Sequence, residues 1–168
     1  MSDDAVWRQY ARYNTLANVR LYEAAAGLDD AARKRDLGAF FGSLHGTLNH
    51  LLLGDRIWLA RFEGGAHPST GLDAVLHEDF DALRCERVAL DARIETFFDA
   101  PPPGFHDRPF RYVNNEGRVF VDPPSLIVPH FFNHQTHHRG QAHTLLSMLG
   151  LGRDAPVLDL HRVIKPDP

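Results

Sequence analysis

The sequence has one cysteine, no long hydrophobic run and no block of unmixed basic charge. The single cysteine, Cys85, cannot form an intrachain disulfide. No apolar stretch approaches the ~20 residues of a transmembrane helix. Residues 1–4 are acidic, unlike the basic start of a signal peptide. Together these absences predict a cytoplasmic protein with no membrane partner.

The distribution of charge argues against a further class of partner. The net charge is −4 with neutral histidines, and the arginines are interspersed with acidic residues. Proteins that bind nucleic acids usually carry a basic patch, so we expect no nucleic-acid partner. The 168 residues, 43% of them hydrophobic, are enough for a full core. We therefore expect a single domain over residues 1–168.

Apolar residues recur with a helical period in four long stretches. They predict helices over residues 3–27, 40–62 and 72–98, and a fourth that begins after residue 125, with its regular part starting at residue 129, and ends at residue 149. Residues 28–32 predict a short helical segment, and residues 153–168 predict an extended arm or a short helix. Four long helices indicate an all-α fold, a four-helix bundle.

Residues 110–113 and 118–121 predict a small β-hairpin before the last long helix. Both stretches are rich in aromatic and β-branched residues, and a turn-like segment separates them. A lone hairpin is marginally stable in water. We therefore expect it to lie against the helices, where it is a candidate cover for a functional site.

Polar side chains interrupt the apolar stripes of two predicted helices. Asn14 and Asn18 lie on the first helix, and we interpret them as hydrogen-bond partners between helices. Asp55 lies within the stripe of the second helix, where an unpaired buried carboxylate is costly. Its side chain is therefore expected to meet an arginine or a histidine N–H.

Histidine is concentrated in residues 130–143, which hold five of the eleven. In a helix, His134 and His138 stand at i and i+4, about 5–6 Å apart on one face. Two such imidazoles can share a metal ion, as in the HExxH motif, whose glutamate is absent here. The pairs His130–His134 and His134–His137 have similar spacing, and spacing alone does not choose among them. Gly140 costs a helix about 1 kcal/mol relative to alanine, which suggests close packing or ligand access.

A third metal ligand must come from another helix. Catalytic zinc sites typically have three protein ligands and one open position. His50 is the best candidate because small side chains such as Thr47 and Gly54 surround it. A lone helical histidine is nevertheless more often structural than a ligand, and the whole cluster could instead be a solvated face. His45 and His106 lack the small neighbours of His50.

Three motifs resemble those of a known family, the DinB/YfiT-like metalloenzymes. The segment NHxxHHRGQ at residues 133–141 resembles the C-terminal signature of that family. YNxxANxRL at residues 13–21 looks like its first helix, and Sx4LxHLx3DRxWL at residues 43–59 looks like its second. The three blocks occur in the family's order and span most of the chain.

The resemblance implies a four-helix bundle of up-down-down-up type, usually a homodimer. It implies a divalent metal, zinc or nickel, bound by a histidine on helix two and a His-x3-His pair on helix four. These positions fall on His50, His134 and His138. Some relatives resemble transferases that use low-molecular-weight thiols, including a mycothiol-dependent isomerase, and others are described as metal-dependent hydrolases. A small-molecule substrate, such as a thiol, is therefore expected, and the family name does not imply DNA binding.

The first hypothesis for function is a metal-dependent transferase or hydrolase. The metal would lower the pKa of a bound thiol or water and so supply thiolate or hydroxide near neutral pH. Other polar side chains would orient the metal ligands from behind, and the candidates are Asp55, His130, His137, Arg139 and Gln141. Cys85 is not expected to act as the nucleophile, because its helix is remote in sequence from the histidines.

Two alternative functions stay open at the level of sequence. A non-enzymatic metal-binding or stress-response protein would use the metal for structure or sensing, with His130 or His137 completing a closed four-ligand shell. A metal-free bundle would bind an apolar ligand between its helices. Three protein ligands with an open position would favour the enzyme.

Overall fold

The computed structural model describes residues 3–65, 70–114 and 116–165, which form a mostly helical fold with one antiparallel hairpin. The helices are α1 (Asp3–Ala26), α2 (Asp30–Lys34), α3 (Leu44–Phe62), α4 (Phe80–Asp99), α5 (Pro124–Leu146) and α6 (Leu160–Ile164). The strands are β1 (Phe110–Val113) and β2 (Val119–Asp122). The predicted helical content and hairpin are confirmed, and the up-down-down-up order of a bundle stays a prediction.

Side-chain caps explain where two long helices begin. The Ser43 hydroxyl accepts a hydrogen bond from the backbone N–H of Gly46 at 3.1 Å, so α3 begins at Leu44 rather than at residue 40. The Asp79 carboxylate accepts from the N–H of Ala82 at 2.7 Å, so α4 begins at Phe80. The predicted start near residue 72 is wrong, because residues 70–79 form turns and bends.

The last long helix begins earlier than predicted. Helix α5 begins at Pro124 and includes Pro129 as an internal residue. A proline in the first turn costs little, but Pro129 lacks the N–H that would bond to the carbonyl of Ser125. The helix ends at Leu146 and continues as a π-helical turn, Ser147–Leu151. The predicted short helix of the C-terminal segment is present as α6.

Helix α1 packs against α4 and α5, and α3 packs against the same two helices. The core between them consists of almost completely buried apolar side chains, such as Leu48, Leu52, Leu83, Ile94 and Phe131. Each of these contributes about 1.5–3 kcal/mol by leaving water. The packing brings α3 and α5, which carry the candidate metal ligands, side by side.

The hairpin lies against α3, as expected. Phe110 pairs with Asp122 at one end and Val113 with Val119 at the other. The Tyr112 ring contacts the ring of Trp58 edge-on, with their centres 5.4 Å apart. None of the helices in the described residues is both long enough and apolar enough to cross a membrane.

A network of buried polar side chains also joins the long helices. Arg87 on α4 donates through Nη1 to Oδ2 of Asp55 on α3 at 2.7 Å, and its Nη2 lies 2.8 Å from Oδ1 of Asp91. Asn14 and Asn18 on α1 donate to Asp91 at 3.2 and 3.0 Å. The predicted arginine partner of Asp55 and the predicted helix-to-helix bonds of both asparagines are therefore confirmed.

Helix α5 contributes Gln135 and Arg139 to this buried network. Gln135 Nε2 donates to Oδ1 of Asp55 at 2.8 Å. Arg139 Nη1 donates to Oδ1 of Asn14, and its guanidinium lies 5.0 Å from the centre of the Tyr13 ring. Two arginines thus balance two aspartates in the interior, where an unpaired charge would be very costly.

Candidate metal centre

Three histidine side chains from two helices converge on one point. His50 comes from α3, and His134 and His138 come from successive turns of α5. Nε2 of His50 lies 3.3 Å from Nε2 of His134 and 3.2 Å from Nε2 of His138. Among the described residues, this is the one group of three or more metal-ligating side chains with ligand atoms within 4.8 Å of one another.

The hydrogen bonds behind two rings fix their tautomers. Nδ1 of His50 lies 2.7 Å from the backbone oxygen of Leu72, which can only accept, so Nδ1 carries the proton. Nδ1 of His138 lies 2.8 Å from Oε1 of Gln141 and donates to it. The amide orientation of Gln141 agrees, because its Nε2 donates to Nε2 of His137 at 3.2 Å. In neutral rings, Nε2 of both His50 and His138 therefore carries a lone pair.

Two lone pairs that face each other at 3.2 Å repel, and a positive charge between them would turn this repulsion into attraction. Two imidazole nitrogens that bind one zinc ion at about 2.0–2.1 Å, with about 100° between the bonds, are about 3.1–3.2 Å apart. The separation of Nε2 in His50 and His138 has that value. The three side chains therefore fit a divalent transition-metal ion.

Electrostatics keep the three rings neutral at physiological pH. Burial, together with the rings of His138 and His50, lowers the pKa of His134 to about 3. Burial also lowers the pKa of His50 and that of His138, although the bonds to Leu72 and Gln141 oppose the shift. Metals bind the neutral form of imidazole, so few protons need to leave before the site can accept an ion.

Comparison with known proteins identifies the family. The sequence model described as the DinB family matches residues 1–166 of the chain. The chain belongs to the DinB family. Protein DinB of Bacillus subtilis (strain 168) is 24% identical to it over 144 residues, which cover 82% of this chain and 83% of the relative. The resemblance inferred from the three motifs is thereby confirmed. No solved structure matches this DinB-family chain significantly.

The loop between α3 and α4 is fastened to α3 by a buried asparagine that sequence reasoning missed. Asn49 accepts through Oδ1 from the backbone N–H of Leu76 at 2.8 Å and of His77 at 3.0 Å. Its Nδ2 donates to the backbone oxygens of His45 and His77. His45, a weaker ligand candidate in the sequence, donates through Nε2 to the same oxygen of His77 at 2.8 Å.

This loop supplies the Leu72 oxygen that orients His50. Asn49 is 1% exposed, and it sits next to His50 in a leucine-rich helix, which is a signal that sequence reasoning could have used. The sequence gives no comparable signal for Leu72, because its contact with His50 is made by the backbone oxygen and does not depend on the side chain. The DinB-family chain therefore positions one metal-ligand candidate through a loop rather than through a second side chain.

An aromatic ring covers the histidines on the side of the α2–α3 connection. The Phe41 ring stacks on His50 with centres 3.9 Å apart, and its edge approaches His138 at 5.6 Å. This contact was also missed, because residue 41 was predicted to lie inside the second helix, whereas α3 begins only at Leu44. It limits the access of water to one side of the site.

The two glycines singled out in the sequence have different surroundings. A Cβ atom at Gly54 would lie 2.8 Å from Cε1 of His134, so only glycine lets this ring reach its place. A Cβ atom at Gly140 would meet nothing within 4 Å. Of the two explanations offered for Gly140, close packing is therefore wrong and ligand access stays a prediction. The tight approach occurs at Gly54.

The remaining polar candidates divide into two groups. Gln141 contacts His138 directly, and His137 is reached through Gln141. Asp55 and Arg139 point instead into the buried network. Asp55 accepts hydrogen bonds from Arg87 and Gln135, and Arg139 donates to Asn14. Neither of the two bonds to the three histidine rings in these contacts.

His130 lies one turn before His134, with ring centres 6.2 Å apart, and packs edge-on against Trp58. His106 pairs with the carboxylate of Asp4 at 2.8 Å. Cys85 is exposed on α4. None of these three is in the group of converging side chains.

A cavity of about 320 Å³ adjoins two of the three histidines, His50 and His134, and reaches the turn of the hairpin at Glu116. Trp58 and Arg61 form part of its wall. A larger groove of about 670 Å³ lies between α1, α5 and the segment leading into α6, and none of the three histidines lines it. The smaller cavity is therefore the candidate substrate site of this DinB-family chain.

Proposed function

We propose that this protein is a metal-dependent enzyme whose divalent ion, zinc or nickel, is bound by His50, His134 and His138. The observation that carries the proposal is the 3.2 Å separation between the lone-pair-bearing Nε2 atoms of His50 and His138. Two lone pairs at this distance repel each other, and a cation held between them would remove the repulsion.

Three protein ligands support a catalytic rather than a closed structural site. A structural zinc site has four protein ligands, whereas a catalytic site leaves a position open. His130 and His137, the candidates for a fourth ligand, lie outside the converging group. Their rings instead contact Trp58 and Gln141, respectively. The cavity beside His50 and His134 offers space for a substrate at the open side.

A bound divalent ion would supply Lewis acidity, which lowers the pKa of a coordinated thiol or water. The chain's own groups supply orientation and shielding. The Leu72 oxygen and Gln141 fix the rings of His50 and His138, and Phe41 shields one side. We infer a reaction in which a thiol or water attacks an electrophilic small molecule, and the leaving group departs with the bonding electron pair.

We also propose the architecture and assembly implied by the family resemblance. Each long helix packs against two of the other three, which supports a single four-helix-bundle domain of up-down-down-up type. A homodimer follows from the resemblance alone. Light scattering would test it, with a mass near 38 kDa expected from the 18.9 kDa chain (2 × 18.9).

Elemental analysis of untagged protein, purified without chelator or nickel resin, tests the metal assignment. We expect about one transition-metal ion per chain, lost in the His50→Ala/His134→Ala/His138→Ala variant. His161→Ala, an exposed histidine on α6, is the matched control and should retain the metal. Failure to take up zinc or nickel, or unchanged metal content in the triple variant, would contradict the proposal.

A further inference from the structure

The cavity beside the metal centre connects the histidines to an arginine. His50 and His134 line one part of it, and Arg61, two turns after Gly54 on α3, lines another. A volume of about 320 Å³ is at the small end of ligand sites. One small molecule in this cavity therefore contacts both the open side of the metal centre and Arg61.

Arg61 is held in place by the hairpin and by two aromatic rings. Its Nη2 donates to the backbone oxygen of Val113 at 3.0 Å. Its guanidinium carbon lies 4.7 Å from the centre of the Trp58 ring and 4.9 Å from that of Tyr112. Because both α3 and β1 fix this group, binding a ligand with it costs little side-chain entropy. Arginine offers a rigid fork of donors that matches a carboxylate.

The charges around the cavity favour an anionic ligand. Metals bind the neutral form of imidazole, so His50 and His134 would leave the double charge of a divalent ion unbalanced. Arg61 adds a further positive charge. The one acidic side chain among the described cavity residues, Glu116, is paired with Arg118 at 3.2 Å. A ligand with a second negative group therefore matches the charge lining the cavity better than a single thiolate or hydroxide does.

We propose that the cavity selects a small carboxylate-bearing substrate, whose carboxylate binds Arg61 while its thiol faces the metal centre. This inference rests on the proposed function, since it requires the ion between the three histidines. It adds the charge of the substrate and the residue that recognises it, which makes Arg61 the specificity-determining residue of the cavity.

Protein loaded with cobalt(II) gives a direct test, because a thiolate bound to cobalt produces a charge-transfer absorption band. The probes are 3-mercaptopropionate, 2-mercaptoethanol and cysteamine, which share a two-carbon stem and end in a negative, neutral or positive group. We expect the anionic thiol to bind at least about tenfold more tightly than the neutral one, as for a charge-assisted bidentate contact. Cysteamine should bind most weakly.

Three variants separate Arg61 from the general effect of the metal's charge. Arg61→Gln should reduce the preference for 3-mercaptopropionate to about twofold, while Arg61→Lys should retain part of it. Arg93→Gln, which removes an exposed arginine paired with Glu63 on the surface, should leave the preference unchanged. Cobalt content and the circular dichroism spectrum are measured for each, so that only folded, loaded protein is compared.

The outcomes distinguish this inference from the proposed function beneath it. A chain that takes up no cobalt or zinc overturns both. A chain that binds cobalt but no thiol, or binds the three thiols with affinities that Arg61→Gln leaves unchanged, overturns the carboxylate selectivity and leaves the metal centre standing. Loss of the preference in Arg61→Gln alone, with cobalt retained, supports the inference.

Discussion

The buried network and the histidine cluster both join helices through polar side chains, but only the network pairs opposite charges. In the network, the positive charges of Arg87 and Arg139 are matched by Asp55 and Asp91. In the cluster, Nε2 of His50 lies 3.2–3.3 Å from Nε2 of His138 and His134, and the group contains no acidic side chain. The first arrangement holds the helices together. The second is compatible with an ion supplied from outside, which distinguishes a candidate binding site from a purely structural element.

The difference explains why two of the polar candidates bond within the buried network instead of contacting the histidine rings. Asp55 and Arg139 are close to the histidines in sequence and share their helices, yet they face the interior. Gln141 lies two residues after Arg139 and faces the cluster. On a helix, a shift of two residues turns a side chain by about 200°, so neighbours in one motif serve separate tasks.

The largest effect should come from breaking the network. Arg87→Ala leaves Asp55 and Asp91 buried without their cation, and we expect a loss of about 3–5 kcal/mol in the free energy of unfolding. Urea denaturation measures it. Arg93→Ala, at an exposed pair with Glu63, should cost about 1 kcal/mol or less. Equal losses in the two variants would mean that the network is not what holds the helices.

Two buried asparagines test whether the histidine cluster and the buried network have separate roles, one in metal binding and the other in stability. Asn49→Ala releases the loop that orients His50, and we expect metal affinity to fall about 10- to 100-fold. Asn18→Ala removes a donor to Asp91 and should lower stability without changing metal affinity. Competition with a chromophoric chelator measures affinity, and urea denaturation measures stability. Unchanged metal affinity in Asn49→Ala would show that the loop does not position His50.

Acidification should weaken the metal-free protein through the histidine cluster. The pKa of His134 is about 3 in the folded protein and 6.5 when unperturbed, so below pH 6.5 the unfolded chain binds more protons. The contribution of neutral His134 to the free energy of unfolding is therefore fully present above pH 6.5 and is lost as the pH falls below that value. Between pH 7 and pH 5 we expect a loss of about 2 kcal/mol, measured by urea denaturation at each pH. His134→Gln should lose clearly less stability over that range, and an equal loss would assign the effect to other groups.

The two glycines provide the smallest and most selective comparison. Gly54→Ala pushes the ring of His134 out of place, and we expect about a tenfold loss of metal affinity. Gly140→Ala meets no atom and should raise the free energy of unfolding by up to about 1 kcal/mol, since alanine favours the helix. Thermal unfolding and chelator competition measure both. Loss of metal in Gly140→Ala would contradict the assignment of the tight contact to Gly54 on α3.

Much of the site was predictable from side-chain spacing and from the motifs. The i, i+4 pair, the third histidine on another helix and the buried partner of Asp55 all followed from the sequence. The sequence did not identify Arg87 as that partner, because Asp55 lies on another helix, 32 positions away. The start of α4 was misplaced because Leu72 and Leu76 continue the apolar pattern, whereas the Asp79 cap and Asn49 hold that segment in turns.

The contact from Leu72 to His50 is made by the main chain, and this has a consequence for how the protein can change. The side chain at position 72 is 52% exposed and also borders the cavity. Leu72 can therefore be replaced by another residue without removing the backbone oxygen that orients His50. The loop over residues 70–79 is thus the natural place to redesign the selectivity of the cavity, since new side chains there reshape the pocket while the ion-binding geometry is inherited unchanged.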